Sequence, residues 1–428
     1  MPKILLVILI LAPFIAWDAA VYVMRQQGDR SLERRSEVLR HFTQDDIKTG
    51  RDHLLRHNRL FPFYRLLFYA FYTALLFGGL GVRLENSLLQ PVGGRWYLAL
   101  PLFILALLAA RTLLYMPVSA YSEFVIEREM GLSTISVGLW LSDRLKSLLL
   151  NWVIVSLVAF PLLALVKALP RFWPVPAAVV VLAISAFGIW ISPWVIDPIF
   201  NKFTPLEDKN LTDSIRTVSA EAGLTVRQVY VMDASRRSLY LNAYFTGLGN
   251  SRRVVLYDTL VRECDPDEVL SVVAHELGHW KANHIMKGFL IEAAGVFLGF
   301  WLLWALLNNG AVRGFFGLPG PSSMVLIVLL PFLTSFTGTL TAPFVSAISR
   351  RFERQADRIA LELTDNSRAF IELEKKLVRK AKADLLQPEL IQLFYGSHPL
   401  PEDRIRMAED FSRESPRSSK PAAVLLGQ

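Results

Sequence analysis

Seven separate apolar runs, each long enough to cross a hydrocarbon core, constrain what this chain can fold into. A core about 30 Å thick takes roughly 20 helical residues. The runs fall at residues 4–23, 61–80, 98–116, 145–169, 177–196, 289–307 and 324–348. Backbone polar groups inside lipid must pair within their own segment, so each run is expected to be a helix. The first run starts like a secretion signal. No small-x-small cleavage pattern follows it, however, and its apolar stretch continues past Trp17, so an uncleaved anchor is expected.

Basic residues give the sidedness. Nine Lys and Arg lie between the first two runs, from Arg25 to Arg59, and Arg128 and Arg144 join the third to the fourth. The alternate loops carry only Arg83, Arg95, Arg171 and Arg313, with Lys3 at the N-terminus. The positive-inside rule then puts residues 24–60, 120–144, 197–287 and 349–428 together in the cytosol. The net charge of +8 is expected to face anionic lipid headgroups. No nucleic-acid motif is present, and none is expected as a partner. The single cysteine, Cys264, excludes an internal disulfide framework.

Two of the cytosolic pieces are long enough to fold. Residues 210–223 read as an amphipathic helix closed by glycine. Residues 226–232, 240–246 and 253–257 read as strands, the last two joined by a turn at 247–250. Asp265-Pro266-Asp267-Glu268 has helix-start chemistry. The organisation is then 1–197 with five membrane helices, 198–287 as the first part of a catalytic domain, 288–348 with two further membrane helices, 349–411 as the second part, and a disordered tail at 412–428. The source is expected to be a bacterial inner membrane, or an ER membrane if the chain is eukaryotic.

The helix after Pro266 carries His275-Glu276-Leu277-Gly278-His279. Two His at i and i+4 share a helix face and can reach one tetrahedral Zn²⁺, with Glu276 beside them to take a proton from water. A hydrolytic zinc site needs a third protein ligand and an open position. Glu353 is a candidate, with Asp357 one turn on to accept the free N–H of a metal-bound His. On residue type alone, Glu353 and Asp357 could equally pair with Arg350, Arg354 or Arg358 on a solvated face. His284 is a rival third ligand, disfavoured by its angle around a continuous helix. His398 and Arg404 sit in a proline-stiffened segment that could place a donor at a developing oxyanion, or could be a plain loop.

Together these motifs resemble the type I CAAX prenyl protease (a-factor-converting) family of integral-membrane zinc metalloproteases. The likeness rests on Tyr121 to Glu127 with Gly131, on Pro198 to Leu206, on Asn242 to Gly247 and on Val254 to Leu260. It also rests on the HELGH motif, on Glu353 with Asp357, and on His398-Pro399 with Arg404. The resemblance implies seven membrane helices around an intramembrane chamber, with a cytosolic α+β, gluzincin-like zinc-protease domain. It implies one zinc held by His275, His279 and Glu353, with Glu276 as base. Its substrates would be peptide or protein chains ending in a prenylated cysteine motif. Membrane lipids are the other expected partners, and no oligomer is predicted. Thr334, Ser335, Thr337, Thr339 and Thr341 in the seventh run, with Arg111 and Glu292, are where a watered interior is expected. An extended substrate is expected to add to the 240–246 strand at Asn242, Ala243 and Tyr244.

Two other readings are kept. An HtpX-like quality-control protease would share the chemistry, take broader substrates and have about four spans rather than seven. A zinc-binding transporter or scaffold would have no need of Glu276.

Overall fold

The computed structural model describes residues 3–247 and 252–414, most of them helical. Among the described residues, six helices are long and apolar enough to cross a membrane: Leu5–Gln27, Trp96–Glu127, Val137–Ala168, Pro174–Phe200, His284–Asn308 and Leu326–Thr364. A bent pair, Gln44–Leu76 and Leu80–Leu89, turned by 54°, makes a seventh when counted as one span. The predicted run 61–80 is therefore not one straight helix. It breaks after Leu76, where Gly79 takes a φ of 73°, a left-handed conformation that glycine adopts without Cβ strain.

The spans bury one stripe against each other and leave the rest for lipid. Phe103, Leu163 and Phe332 are fully buried, whereas Leu113, Leu298, Leu340 and Phe344 are exposed. In water those exposed faces would aggregate, whereas in a bilayer the acyl chains cover them. Thr334, Thr337 and Thr341 donate to carbonyls of their own helix, those of Pro331, Leu333 and Thr337. Their hydroxyls therefore serve the span itself rather than tie it to a neighbour. Arg111 lines a cavity of about 260 Å³ with Tyr72, Leu107 and Pro331. Glu292 accepts a hydrogen bond from Ser185 of the adjacent span at 3.2 Å. Both ionisable residues are exposed on their spans, so in a bilayer each needs a polar surface to face rather than acyl chains.

Outside the spans, Lys209–Glu221 is the expected amphipathic helix, its first turn capped by the Asp208 side chain on the Leu211 N–H. A four-stranded sheet follows, of β1 (Phe203–Pro205), β2 (Gln228–Met232), β3 (Ala243–Thr246) and β4 (Arg253–Tyr257), in spatial order β1-β2-β4-β3. β2 and β4 are parallel, while β1–β2 and β3–β4 are antiparallel. β3 is thus an edge. It begins later than residue 240, because Tyr240 is drawn aside: its carbonyl accepts from the Thr259 hydroxyl at 2.7 Å and its phenol donates to Glu127 at 3.1 Å. Beyond Gly247 the expected turn lies outside the described residues, as does the expected disordered tail from 415 onward. Helix Pro401–Glu414 runs on past Phe411.

Ile215, Leu256, Leu260, Val273, Leu277, Leu361 and Phe370 form the core of this region. Residues 24–60, read as a loop of the membrane region, instead fold as helices Leu32–Val38 and Gln44–Asn58. Their Val38, Phe42 and Ile47 pack on Val378, Leu385 and Ile405. Arg34–Glu402 and Arg51–Asp384 ion pairs, each 3.1 Å, join the same two parts.

The seventh run and the helix expected to start near residue 350 are one continuous element, Leu326–Thr364, of 39 residues. At about 1.5 Å per residue it is roughly 58 Å long, enough to span the membrane and then continue into the core beside the sheet.

Candidate metal centre

Helix Pro266–Lys281 starts with a reciprocal capping box between Asp265 and Glu268 and a proline in its first turn. Buried Val269, Val273 and Leu277 fix its inner face, and that sets the direction of His275 and His279. The long helix crosses it closely at Gly278. A Cβ there would meet the Ala356 carbonyl oxygen at 2.8 Å and its Cα at 2.9 Å. Glycine thus lets the two backbones approach until Glu353 reaches the histidines.

The result is a compact triangle of donor atoms. His275 Nε2 and His279 Nε2 are 3.2 Å apart. Glu353 Oε2 lies 3.3 Å from His275 Nε2, and Oε1 lies 3.5 Å from His279 Nε2. Ligand bonds of about 2.0–2.2 Å to a tetrahedral ion set donor atoms roughly 3.3–3.5 Å apart. The buried Glu353 Oε2 has no hydrogen-bond partner among the described residues. Buried polar atoms without partners are rare. A divalent cation between these three side chains would give that oxygen a partner, so the donor set fits one.

Behind the triangle, the outer ring nitrogens are both held. Asp357, fully buried, accepts from His275 Nδ1 at 2.8 Å. Arg404 grips Asp357 with Nε at 2.8 Å and Nη2 at 2.5 Å, and its Nη1 lies 2.8 Å from the buried Glu374. On the other side, His279 Nδ1 is 3.1 Å from His284 Nδ1, and His284 Nε2 is 3.1 Å from Gln355 Oε1. One polarity satisfies the whole chain: His279 Nδ1–H donates to His284, whose Nε2–H donates to the Gln355 carbonyl. His284 also stacks on Phe352 with ring centroids 4.2 Å apart.

Electrostatics differ across the site. Burial opposes a charge on His275, but Asp357 and Glu353 outweigh it and lift its pKa to about 10. Burial and the neighbouring His275 lower His279 to about 4. Burial raises Glu276 above the ordinary carboxyl value, with Glu353 adding to it against His275. A carboxylate held in that range is a better proton acceptor.

His398 is on the open side, 60% exposed, with Nε2 3.4 Å from Glu353 Oε2. Its loop is pinned by Gln392 Nε2 on the His398 carbonyl at 2.7 Å and by Arg350 Nη1 on the Gly396 carbonyl at 2.7 Å. Asn242, Ala243 and Tyr244 lie at the start of edge strand β3, which packs on the motif helix through Phe245 and Trp280, ring centroids 5.0 Å apart. The Ala243 N–H donates to the Asn242 side-chain oxygen at 2.9 Å.

Sequence reasoning passed over Glu374, Gln355 and the part played by His284. On a continuous helix His284 would point away from the site, but Asn283 turns the chain at φ 56° and returns His284 to the back of His279. Glu374 shares its charged helix with Glu372 and several basic residues, with no spacing signal to mark it.

The profile of peptidase family M48 matches residues 205–412. That of "CAAX prenyl protease N-terminal, five membrane helices" matches residues 29–202. CAAX prenyl protease 1 of Saccharomyces cerevisiae is 34% identical over 322 residues, 71% of this chain and 70% of the relative. The uncharacterized metalloprotease YhfN of Bacillus subtilis is 30% identical over 312 residues, 72% of each chain. The crystal structure of S. mikatae Ste24p superposes with a TM-score of 0.84 at 25% identity, covering 96% of this chain and 99% of that one.

Proposed function

Since the chain belongs to peptidase family M48 and is a multi-pass membrane metalloprotease, we propose that it is a zinc endopeptidase processing CAAX-type C-terminal peptides. The observation that carries the chemistry is the convergence of His275, His279 and Glu353, with Glu276 beside them and Asp357 behind.

His275, His279 and Glu353 would hold Zn²⁺, which when bound supplies a Lewis acid that polarises a carbonyl and acidifies water. Glu276 takes the proton from the attacking water and returns it to the leaving amine. His398 donates to the oxyanion as the carbonyl carbon becomes tetrahedral. The Asp357–Arg404–Glu374 chain fixes the tautomer and angle of His275, and His284 with Gln355 does the same for His279. Arg404 is therefore a positioning residue rather than the oxyanion donor its sequence neighbourhood suggested. Both faces of its guanidinium fork are already taken.

An extended substrate would add to the open edge of β3, where the Ala243 N–H can exchange the Asn242 side chain for a substrate carbonyl. Ala243→Pro removes that donor. It is expected to lower kcat/KM while zinc content and folding are kept, and wild-type kcat/KM in a folded, zinc-loaded A243P protein would refute the strand assignment. His398→Ala is expected to reduce kcat by about 10²–10³ with KM little changed. Near-normal kcat would return residues 396–400 to a plain loop.

The site faces the cytosol on the proposed topology, which the arginine-rich residues 24–60 support by packing on the same lobe as the C-terminal helices. A watered interior near Arg111 and the hydroxyl face of the last span would let a lipidated peptide keep its backbone hydrated on the way in. Cleavage of a farnesylated peptide against its unfarnesylated twin, by detergent-purified protein with and without chelator, tests the reading. Chelator-sensitive cleavage that prefers the farnesylated peptide is expected. Equal cleavage of both would favour broad, quality-control-like specificity. The span count points the other way, with six long helices and a bent seventh.

A further inference from the structure

The described residues hold a second group built like the first. His53 and His57 are i and i+4 on helix Gln44–Asn58, and their ring centroids are 4.9 Å apart, the same as for His275 and His279. Both Nε2 atoms face one carboxylate oxygen from a distant helix, Glu127 Oε1, at 3.2 Å and 2.6 Å. We propose that His53, His57 and Glu127 form a second divalent transition-metal site, separate from the catalytic centre and independent of how that centre works.

Hydrogen-bond bookkeeping is the first reason. His53 Nδ1 is 3.2 Å from the Lys382 carbonyl, which can only accept, so Nδ1 carries the proton. In a neutral ring Nε2 is then a lone pair, and it points at another lone-pair donor, Glu127 Oε1. His57 can donate to that oxygen through Nε2–H, but the His53 contact stays unsatisfied. A proton on His53 alone would let both rings donate to Glu127, so the cluster is met either by one imidazolium or by a cation that takes its place. A single divalent ion meets all three donors at once, and imidazole with carboxylate is the donor set such ions take.

The second reason is how the side chains are presented. Glu127 ends a widened, π-helical turn, Ser122–Glu127, at the cytosolic end of the third span. Such turns re-aim side chains and occur often at functional sites. Tyr240 donates its phenol to Glu127 Oε2 at 3.1 Å, orienting the carboxylate as second-shell partners orient metal ligands. Lys382 holds a left-handed φ of 48°, unusual for a residue with a side chain, and in that turn it offers its carbonyl to His53. The 2.6 Å contact is tighter than roughly 3.3 Å between ligands of one ion, but His57 is 33% exposed and its ring has room to swing outward.

The site joins the N-terminal cytosolic helix, the third span, the turn after the Ser367–Ala381 helix and, through Tyr240, the stretch leading into β3. A bound ion would lock the membrane region to both halves of the protease domain, close to the proposed substrate strand.

The test uses the full-length chain in detergent, stripped of metal and titrated with Co²⁺, whose visible bands report a protein-held ion. Wild type is expected to bind two ions per chain and the isosteric E127Q one. H275A/H279A, lacking the catalytic pair, is expected to keep one, which adding H57A removes. E127Q should weaken the second ion by more than the roughly 10–100-fold that losing an outer-shell partner costs. One ion per wild-type chain, or a second ion unmoved by both E127Q and H57A, overturns the proposal. Because E127Q preserves shape and can still accept from Tyr240, unfolding is not expected to imitate the loss.

Discussion

Glu276→Gln is expected to lower kcat by about 10²–10⁴ while zinc content and fold stay unchanged. Glu276 sits beside the donor triangle on the motif helix but is not part of the three-ligand group. Burial, the largest influence on it, lifts its pKa, and Glu353 adds to that. A carboxyl so placed has one evident task, accepting and returning a proton during hydrolysis. Glutamine keeps its size and polarity and cannot accept that proton. Metal analysis alongside peptide-cleavage kinetics makes the prediction sharp. Lost activity with a full metal complement fits a proton carrier. Lost activity with lost metal would make Glu276 a structural element of the site. Retained cleavage would sink the hydrolytic role and leave a chain that merely binds metal.

Much of the architecture was legible because the bilayer simplifies it. A span must be apolar over about 20 residues, so the runs at 98–116 and 145–169 announce helices that the structure extends to Trp96–Glu127 and Val137–Ala168. The HELGH pair was legible because i and i+4 spacing fixes a shared face locally. What was hidden depended on contacts between distant parts. Nothing in residues 24–60 shows that Val38 and Ile47 will pack on Val378 and Ile405, since short amphipathic helices carry no record of their partner. The break at Gly79 and the turn at Asn283 each defeat an inference that assumes a continuous helix. The length of Leu326–Thr364 was concealed by composition: the change from apolar to arginine-rich near residue 350 marks where the helix leaves the membrane, not where a new one starts.

Arg404→Met is expected to lower stability by about 3–5 kcal/mol, since removing one member of a buried ion network leaves the others uncompensated. Arg404 is 13% exposed and lies between Asp357, 0% exposed, and Glu374, 4% exposed. Its planar fork meets Asp357 through two nitrogens and Glu374 through a third. Methionine fills the space and leaves two carboxylates facing each other in the interior. Burial already raises the Glu374 pKa against the pull of Arg404, so without the cation Glu374 should hold a proton and Asp357 should lose its fixed orientation. That loosening reaches the metal through His275 Nδ1, and a fall in zinc affinity of roughly 10–100-fold is expected, as for other outer-shell losses. Arg404→Lys separates charge from geometry. A lysine keeps the cation but cannot bind Asp357 in the two-nitrogen mode, so it should restore much of the stability and less of the zinc affinity. Thermal unfolding in detergent and zinc competition with a chelator read the two effects separately. If R404M kept its stability and its zinc and lost only kcat, Arg404 would be touching the reacting carbonyl instead, and the oxyanion reading drawn from its sequence neighbourhood would be restored.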